Sequence, residues 1–185
     1  VSLHDAYISV VEALKHGAVA NNSEVEIKWV DSELISDYNV HEFLADVDGI
    51  IVPGGFGDRG IEGMICAIRY AREQKVPYLG LCLGMQLTIV EFARNVVGLE
   101  DAHSNEFSTM TTNPVIHIMP DKEGITNLGG TLRLGAYPCN LVDNSKALEL
   151  YGSKTIEERH RHRYEVNNKY REVLQEYGML LSGFS

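Results

Sequence analysis

At 185 residues, with 44% apolar and 23% charged residues, the chain has the composition of an ordinary globular domain able to bury a core. It holds no apolar run long enough to cross a bilayer and no signal-peptide pattern, so neither a membrane nor a secretory role is expected. A formal net charge of −10 argues against a nucleic-acid partner, because an acidic surface repels phosphate backbones.

The first expected element is a helix over residues 2–16. Ser2 offers an N-cap and Asp5 suits the positive helix end. Tyr7, Val10, Val11 and Leu14 recur at helical spacing, and Gly17 offers a stop. Residues 25–30 alternate apolar and polar, as a strand does. Residues 48–53 form a short β-branched run typical of a buried parallel strand, and they run straight into Gly54-Gly55-Phe56-Gly57. A second helix is predicted over 61–74, with Ile61, Met64, Ile65 and Ile68 on one face. A second buried strand covers 76–81, and helix resumes over 83–96. This order implies a parallel sheet with right-handed crossovers. Downstream, the pattern predicts strands at 114–119, 130–142 and 164–166, and a polar loop at 121–127. It also predicts a short helix at 145–151, a helix at 168–177 closed by Gly178, and a strand-like end at 179–184. The fold class expected is α/β, a three-layer sandwich with a central, mostly parallel sheet, in one domain over residues 1–185 without repeat or linker.

Three cysteines are present, Cys66, Cys82 and Cys139, in no disulfide or zinc spacing. Reduced thiols in the cytoplasm are the expectation, with no metal. Cys66 falls inside a helix among apolar residues and reads as a small hydrophobe; Cys139 follows Pro138 in a strand and reads as structural. Cys82 differs. Gly80-Leu81-Cys82-Leu83-Gly84 joins a buried strand to a helix, and G-x-nucleophile-x-G at such a junction forms a sharp turn that lifts the nucleophile above the sheet edge. The helix start favours a thiolate, and the Leu83 amide faces a developing oxyanion. A buried core thiol between two packing glycines is the alternative. The loop Pro53-Gly54-Gly55-Phe56-Gly57 belongs to the same sheet edge. It can supply a second oxyanion amide, or be a tight turn or phosphate loop, although it lacks a P-loop lysine.

With both motifs in hand, the sequence resembles the class I glutamine amidotransferases, and longer strings narrow the resemblance to their CTP synthase branch. Those strings include Gly54-Gly55-Phe56-Gly57-Asp58-Arg59-Gly60, Leu128-Gly129-Gly130-Thr131-Leu132-Arg133-Leu134-Gly135 and Glu158-Arg159-His160-Arg161-His162-Arg163-Tyr164-Glu165-Val166. The resemblance implies hydrolysis of L-glutamine to glutamate and ammonia, with Cys82 as nucleophile and Gly55 and Leu83 as oxyanion amides. It places Gly84, Met85, Gln86 and Glu106 around the glutamine, with Arg163 on its α-carboxylate and Tyr164 beside it. An acid for the ammonium and a bidentate cation for the carboxylate suit an amino-acid substrate. By its position alone Glu106 reads as a solvated loop acid, and residues 160–163 have an exposed basic loop as their alternative.

The resemblance also implies a weak role for Arg133 at a lid responding to GTP. It implies a synthetase domain of the same polypeptide that uses ATP and Mg to convert UTP to CTP, and a homo-oligomer at full length. This domain itself is expected to need no cofactor. The family's His-Pro-Glu-Phe string and its first strand are expected to lie outside these residues, so the chain alone is expected to be weakly active or inactive. His160 and His162 are poor substitutes for the missing base, because their segment is assigned to substrate binding. A γ-glutamyl hydrolase, another amidotransferase of this class, or a non-catalytic regulatory module are the competing readings.

Overall fold

A computed structural model describes residues 4–118 and 133–185 of the chain, which divides into two units, Val1–Glu91 and Phe92–Ser185. The expected cap at Ser2, the polar loop at 121–127 and the start of the strand at 130–142 lie outside the described residues.

In the first unit a single 3-10 turn, His4–Tyr7, leads into helix α1 (Ile8–Ala20). Gly17 does not end this helix. A glycine in a helix costs only about 1 kcal/mol, and Ala18 and Ala20 are good helix formers. The end comes instead where Asn22 turns left-handed, at φ 51°. The Asn21 backbone N–H and side-chain amide both donate to the Gly17 carbonyl, at 3.2 and 2.8 Å. Residues 25–30 correct a second expectation, because they join no ladder among the described residues. Val25 and Trp29 are exposed, and of this stretch Val30 packs against the core. A strand exists only through a backbone partner, which a burial pattern does not specify. Next come a 3-10 turn, Ser32–Leu34, and helix α2 (Val40–Leu44).

The two β-branched runs behave as predicted. They form β1 (Ile50–Val52) and β2 (Tyr78–Gly80), paired in parallel with Ile50 opposite Tyr78 and Val52 opposite Gly80. Helix α3 (Ile61–Gln74) connects them and buries Ile61, Ile65, Ile68 and Ala71. Leu44, Ile50, Ala67 and Ala71 centre the core, flanked by Phe43, Val47 and Tyr78. Helix α4 (Leu83–Phe92) follows β2 after a two-residue turn. It is buried almost all round, as expected for a central helix. One buried ion pair joins α3 to α4. Arg72 Nε lies 3.1 Å from both carboxylate oxygens of Glu91, and Arg72 Nη2 lies 2.8 Å from one of them.

The second unit opens with a π turn, Ala93–Val97. Strands β3 (His103–Ser104), β4 (Pro114–Ile118) and β7 (Tyr164–Val166) make one sheet, with β3 parallel and β7 antiparallel to β4. A second, antiparallel sheet has the order β6-β5-β8, from β5 (Arg133–Leu141), β6 (Thr155–His162) and β8 (Gly183–Phe184). Helix α5 (Lys146–Tyr151) is capped by Ser145, whose hydroxyl accepts the Leu148 N–H. Helix α6 (Arg171–Glu176) follows a 3-10 turn and precedes Gly178, at φ 102°. Strand β6 is the element the sequence did not announce: residues 160–162, for which an exposed basic loop was the alternative reading, are its last three. Its half-buried face carries Ile156, Glu158, His160 and His162, so hydrophobic alternation is missing although burial alternates.

Candidate active site

The first unit holds the elbow. Cys82 adopts φ 53°, a left-handed backbone rarely tolerated by a side-chain-bearing residue. It stands between the end of β2 and the start of α4, with its side chain exposed. The turn is closed by the Gly84 N–H donating to the Leu81 carbonyl and the Gln86 N–H donating to the Cys82 carbonyl, both at 3.0 Å. The Leu81 N–H donates to Val52 at 2.9 Å, which ties the turn to β1. Leu83 opens α4, where the first amides have no intrahelical acceptor. Its N–H is thereby available to an oxyanion.

Both flanking glycines are required by close approach. A Cβ on Gly84 would fall inside the van der Waals envelope of the Val52 carbonyl, and one on Gly80 would sit 2.6 Å from the Gly84 carbonyl carbon. The glycine loop lies against this turn: the Cβ position of Gly54 is 3.4 Å from Cys82 Cβ, and that of Gly55 is 3.3 Å from a Leu83 methyl. Gly55, Cys82 and Leu83 are thus brought together, with Gln86 buried one turn along α4 and Met85 partly exposed. Gly84→Ala is expected to destabilise by about 3 kcal/mol or more, since its obstacle is backbone that cannot rotate away. Denaturant melts of the two proteins measure this.

Two residues that hold the elbow were missed from sequence. The Tyr78 hydroxyl and the Thr88 hydroxyl both donate to the Gly84 carbonyl, at 3.0 and 2.8 Å. Thr88 was findable, because a threonine four residues on in a helix reaches back to that carbonyl. Tyr78 was not, being contributed by the preceding strand. Burial pushes its phenol up to about 12, so it stays a donor throughout the useful pH range. Cys66 is unlike Cys82. Burial pushes its thiol up to about 11, helped by the Asp37 carboxylate 3.1 Å from its sulfur, so it remains an inert thiol. Cys139 is half-buried in β5, near Gly183.

The second unit brings Glu106 and Arg163 together. Ser104 at the end of β3 fixes the start of the loop, its hydroxyl accepting the Glu106 N–H at 3.2 Å. Because β3 is parallel and β7 antiparallel to β4, the end of β3 and the start of β7 share one edge of the sheet. Glu106 therefore follows one strand and Arg163 precedes another at the same edge. Burial raises the Glu106 carboxyl above its ordinary range, opposed by the Arg163 guanidinium. Asp101 steadies the preceding loop, accepting from Asn113 Nδ2 at 2.5 Å and from the Thr112 N–H and hydroxyl, both at 2.7 Å; these bonds hold its carboxyl down at about 2. Among the described residues no group of three or more His, Cys, Asp or Glu side chains is placed to hold a metal. No described helix is long and apolar enough to cross a membrane.

The family model of class I glutamine amidotransferases matches residues 2–179. The chain belongs to this family. As a class I glutamine amidotransferase it is similar to CTP synthases over its whole length. It is 60% identical to that of Clostridium beijerinckii and 58% identical to that of Caldanaerobacter subterraneus, covering 100% of this chain and 34% of each relative. The chain spans about a third of the length of these curated relatives. Among solved structures, the glutaminase domain of Trypanosoma brucei CTPS with bound acivicin superposes at a TM-score of 0.91 with 39% identity, over 98% of this chain and 70% of that one. The α/β fold with parallel sheet elements is thus the class I amidotransferase fold.

In this amidotransferase His160 and His162 are strand residues. Burial depresses the imidazole of each, with the Arg133 guanidinium adding to the effect on His160. Folded, both rings favour the neutral form, whereas the unfolded chain takes up protons near pH 6.5. The unfolded state then binds more protons, so stability falls as pH drops through about 6.5 and continues to fall until the folded rings protonate. Thermal melts at about pH 7.5 and about pH 5.5 should show this loss, and a His160→Gln/His162→Gln variant should lose less over the same interval. Equal losses would remove the two rings as its source.

Proposed function

We propose that the chain is the glutaminase part of a CTP synthase, releasing ammonia from L-glutamine through a thioester on Cys82. The reading is carried by the strained backbone of Cys82, held between β2 and α4 with the Gly54-Gly55 loop against it. The Cys82 thiolate adds to the side-chain amide carbon. The resulting oxyanion is met by the amides of Gly55 and Leu83, and the C–N bond breaks as the nitrogen takes a proton and leaves as ammonia. Water then cleaves the thioester, releasing glutamate and restoring the thiol. Gln86, Gly84 and Met85 line the amide end of the substrate. Glu106 takes the ammonium, Arg163 forks onto the α-carboxylate and Tyr164 packs beside it.

The family's base belongs to a His-Pro-Glu-Phe string absent from residues 1–185. Both nitrogens of His162 are engaged, with the Tyr164 carbonyl and with His160. In the complete polypeptide the ammonia would pass to a cytoplasmic, oligomeric synthetase that uses ATP and Mg to aminate UTP, with GTP as effector acting near Arg133.

Acivicin, the compound bound in the trypanosome relative, supplies the test. Mass spectrometry should find one adduct, on Cys82, suppressed by excess L-glutamine. Failure to label Cys82, or equal labelling of Cys66 or Cys139, would overturn the proposal.

A further inference from the structure

Arg163 occupies an unusual place in the chain. Strand β6 ends at His162, which pairs with Arg133 on β5, and β7 begins at Tyr164, which pairs with Ile118 on β4. Arg163 is therefore the single residue between two different sheets and belongs to neither ladder. A guanidinium that must fork onto a planar carboxylate needs its backbone held, since a small rotation there swings the long side chain out of register.

Across this junction, His162 Nδ1 lies 3.1 Å from the Tyr164 carbonyl oxygen. A carbonyl only accepts, so Nδ1 carries the proton and Nε2 of His162 carries the lone pair. His160 Nδ1 lies 2.8 Å from that Nε2 and must donate to it. The proton positions of both rings thus follow from one backbone carbonyl, and both are Nδ1–H tautomers. The remaining nitrogen, His160 Nε2, is buried with no hydrogen-bond partner among the described residues. Behind it the Tyr137 ring meets the His160 ring edge-on at 5.3 Å and 84°, and the Arg133 guanidinium covers the far ring at 4.2 Å. The two imidazoles, 5.1 Å apart and tilted by 51°, form a hydrogen-bonded link between the Tyr137 ring and the backbone of the junction.

We propose that His162 is a positioning residue for substrate recognition, pinning the junction that carries Arg163, with His160 fixing its tautomer. This rests on Arg163 being the carboxylate-binding group proposed above. Neither histidine touches substrate in this reading; the effect passes through the backbone of residues 162–164.

The experiment reads acivicin labelling of Cys82 in the full chain as an inhibition constant and a maximal labelling rate. Arg163→Ala should raise the inhibition constant roughly a hundredfold, as loss of a charge-assisted bidentate contact does. His162→Phe should raise it about tenfold, the equivalent of one hydrogen bond, with the maximal rate unchanged. His162→Asn, whose amide nitrogen can reach the Tyr164 carbonyl, should recover most of that loss. Imidazole nitrogen NMR of the unmodified chain should show the Nδ1–H tautomer at both rings, a readout that needs no variant to fold. An Nε2–H tautomer at His162, an unchanged constant in His162→Phe, or no recovery in His162→Asn would each overturn the proposal. If Arg163→Ala also leaves the constant unchanged, the carboxylate reading falls with it. If Arg163→Ala weakens binding and His162→Phe does not, only the positioning role fails.

Discussion

Replacing Cys82 by glycine is expected to abolish labelling by glutamine analogues while raising the stability of the fold by up to about 1 kcal/mol. The left-handed backbone at φ 53° costs a side-chain-bearing residue about 1–2 kcal/mol, and glycine adopts it freely. Part of that gain is lost because glycine makes the unfolded chain more flexible. The exposed Cys82 side chain contributes little burial, so its removal opens no cavity. Cys82→Ala separates the two effects: it retains the strain and loses the thiol, so it should be equally unreactive and about as stable as the parent. Thermal melts of the three proteins, alongside labelling, measure both quantities. A glycine variant less stable than the alanine variant would show that the elbow stores no relievable strain. The expected trade of stability for reactivity follows from one turn: the backbone that aims the thiol away from the sheet is the backbone a cysteine adopts least willingly.

The second large effect is expected at the ion pair between α3 and α4. Glu91 is 1% exposed and Arg72 opens partly to solvent, with 34% of its side chain accessible. Arg72→Met removes the cation and leaves the buried Glu91 carboxylate without its bidentate partner. Breaking a buried pair from one side costs about 3–5 kcal/mol, and the partial exposure of Arg72 places the expectation near about 3. The double variant Arg72→Met/Glu91→Leu should recover much of this, since an apolar pair of similar volume fits the same space. The consequence reaches the elbow because Cys82 immediately precedes α4. The single variant should therefore label more slowly at Cys82 under conditions where it is still folded. Urea unfolding of the four proteins of this cycle gives the coupling; a single variant within about 1 kcal/mol of the parent would show that the pair contributes little.

What was legible in the sequence is local. The two β-branched runs, the glycine loop after the first, and Cys82 between Gly80 and Gly84 are consecutive residues whose sterics admit few conformations. β1, α3, β2 and α4 accordingly fall close to their expected bounds. The choice of Cys82 over Cys66 and Cys139 was likewise made by strand and helix context; in the fold Cys66 is half-buried within α3 and Cys82 is exposed. Where local pattern and pairing part company, the sequence misleads. Residues 25–30 alternate and join no ladder, whereas β6 forms an eight-residue ladder with β5 from a string of charged residues and histidines. A helix stop at Gly17 was displaced to Asn22 because glycine permits termination without compelling it.

The elbow that presents Cys82 is thus written in five adjacent residues, Gly80 to Gly84. Glu106 and Arg163, 57 residues apart by number, are different: neither shows by its neighbours whether it is a solvated surface charge. Only the tertiary structure sets them at one sheet edge, through the parallel pairing of β3 with β4 and the antiparallel pairing of β7 with β4. The same is true of the hydrogen-bond chain from His160 through His162 to Tyr164, which exists because β6 ends one residue before β7 begins in another sheet. The physical reason is range. Steric exclusion and helix starts act between neighbours along the chain, whereas the meeting of an acid and a base depends on strand pairings whose partners are chosen by the whole core.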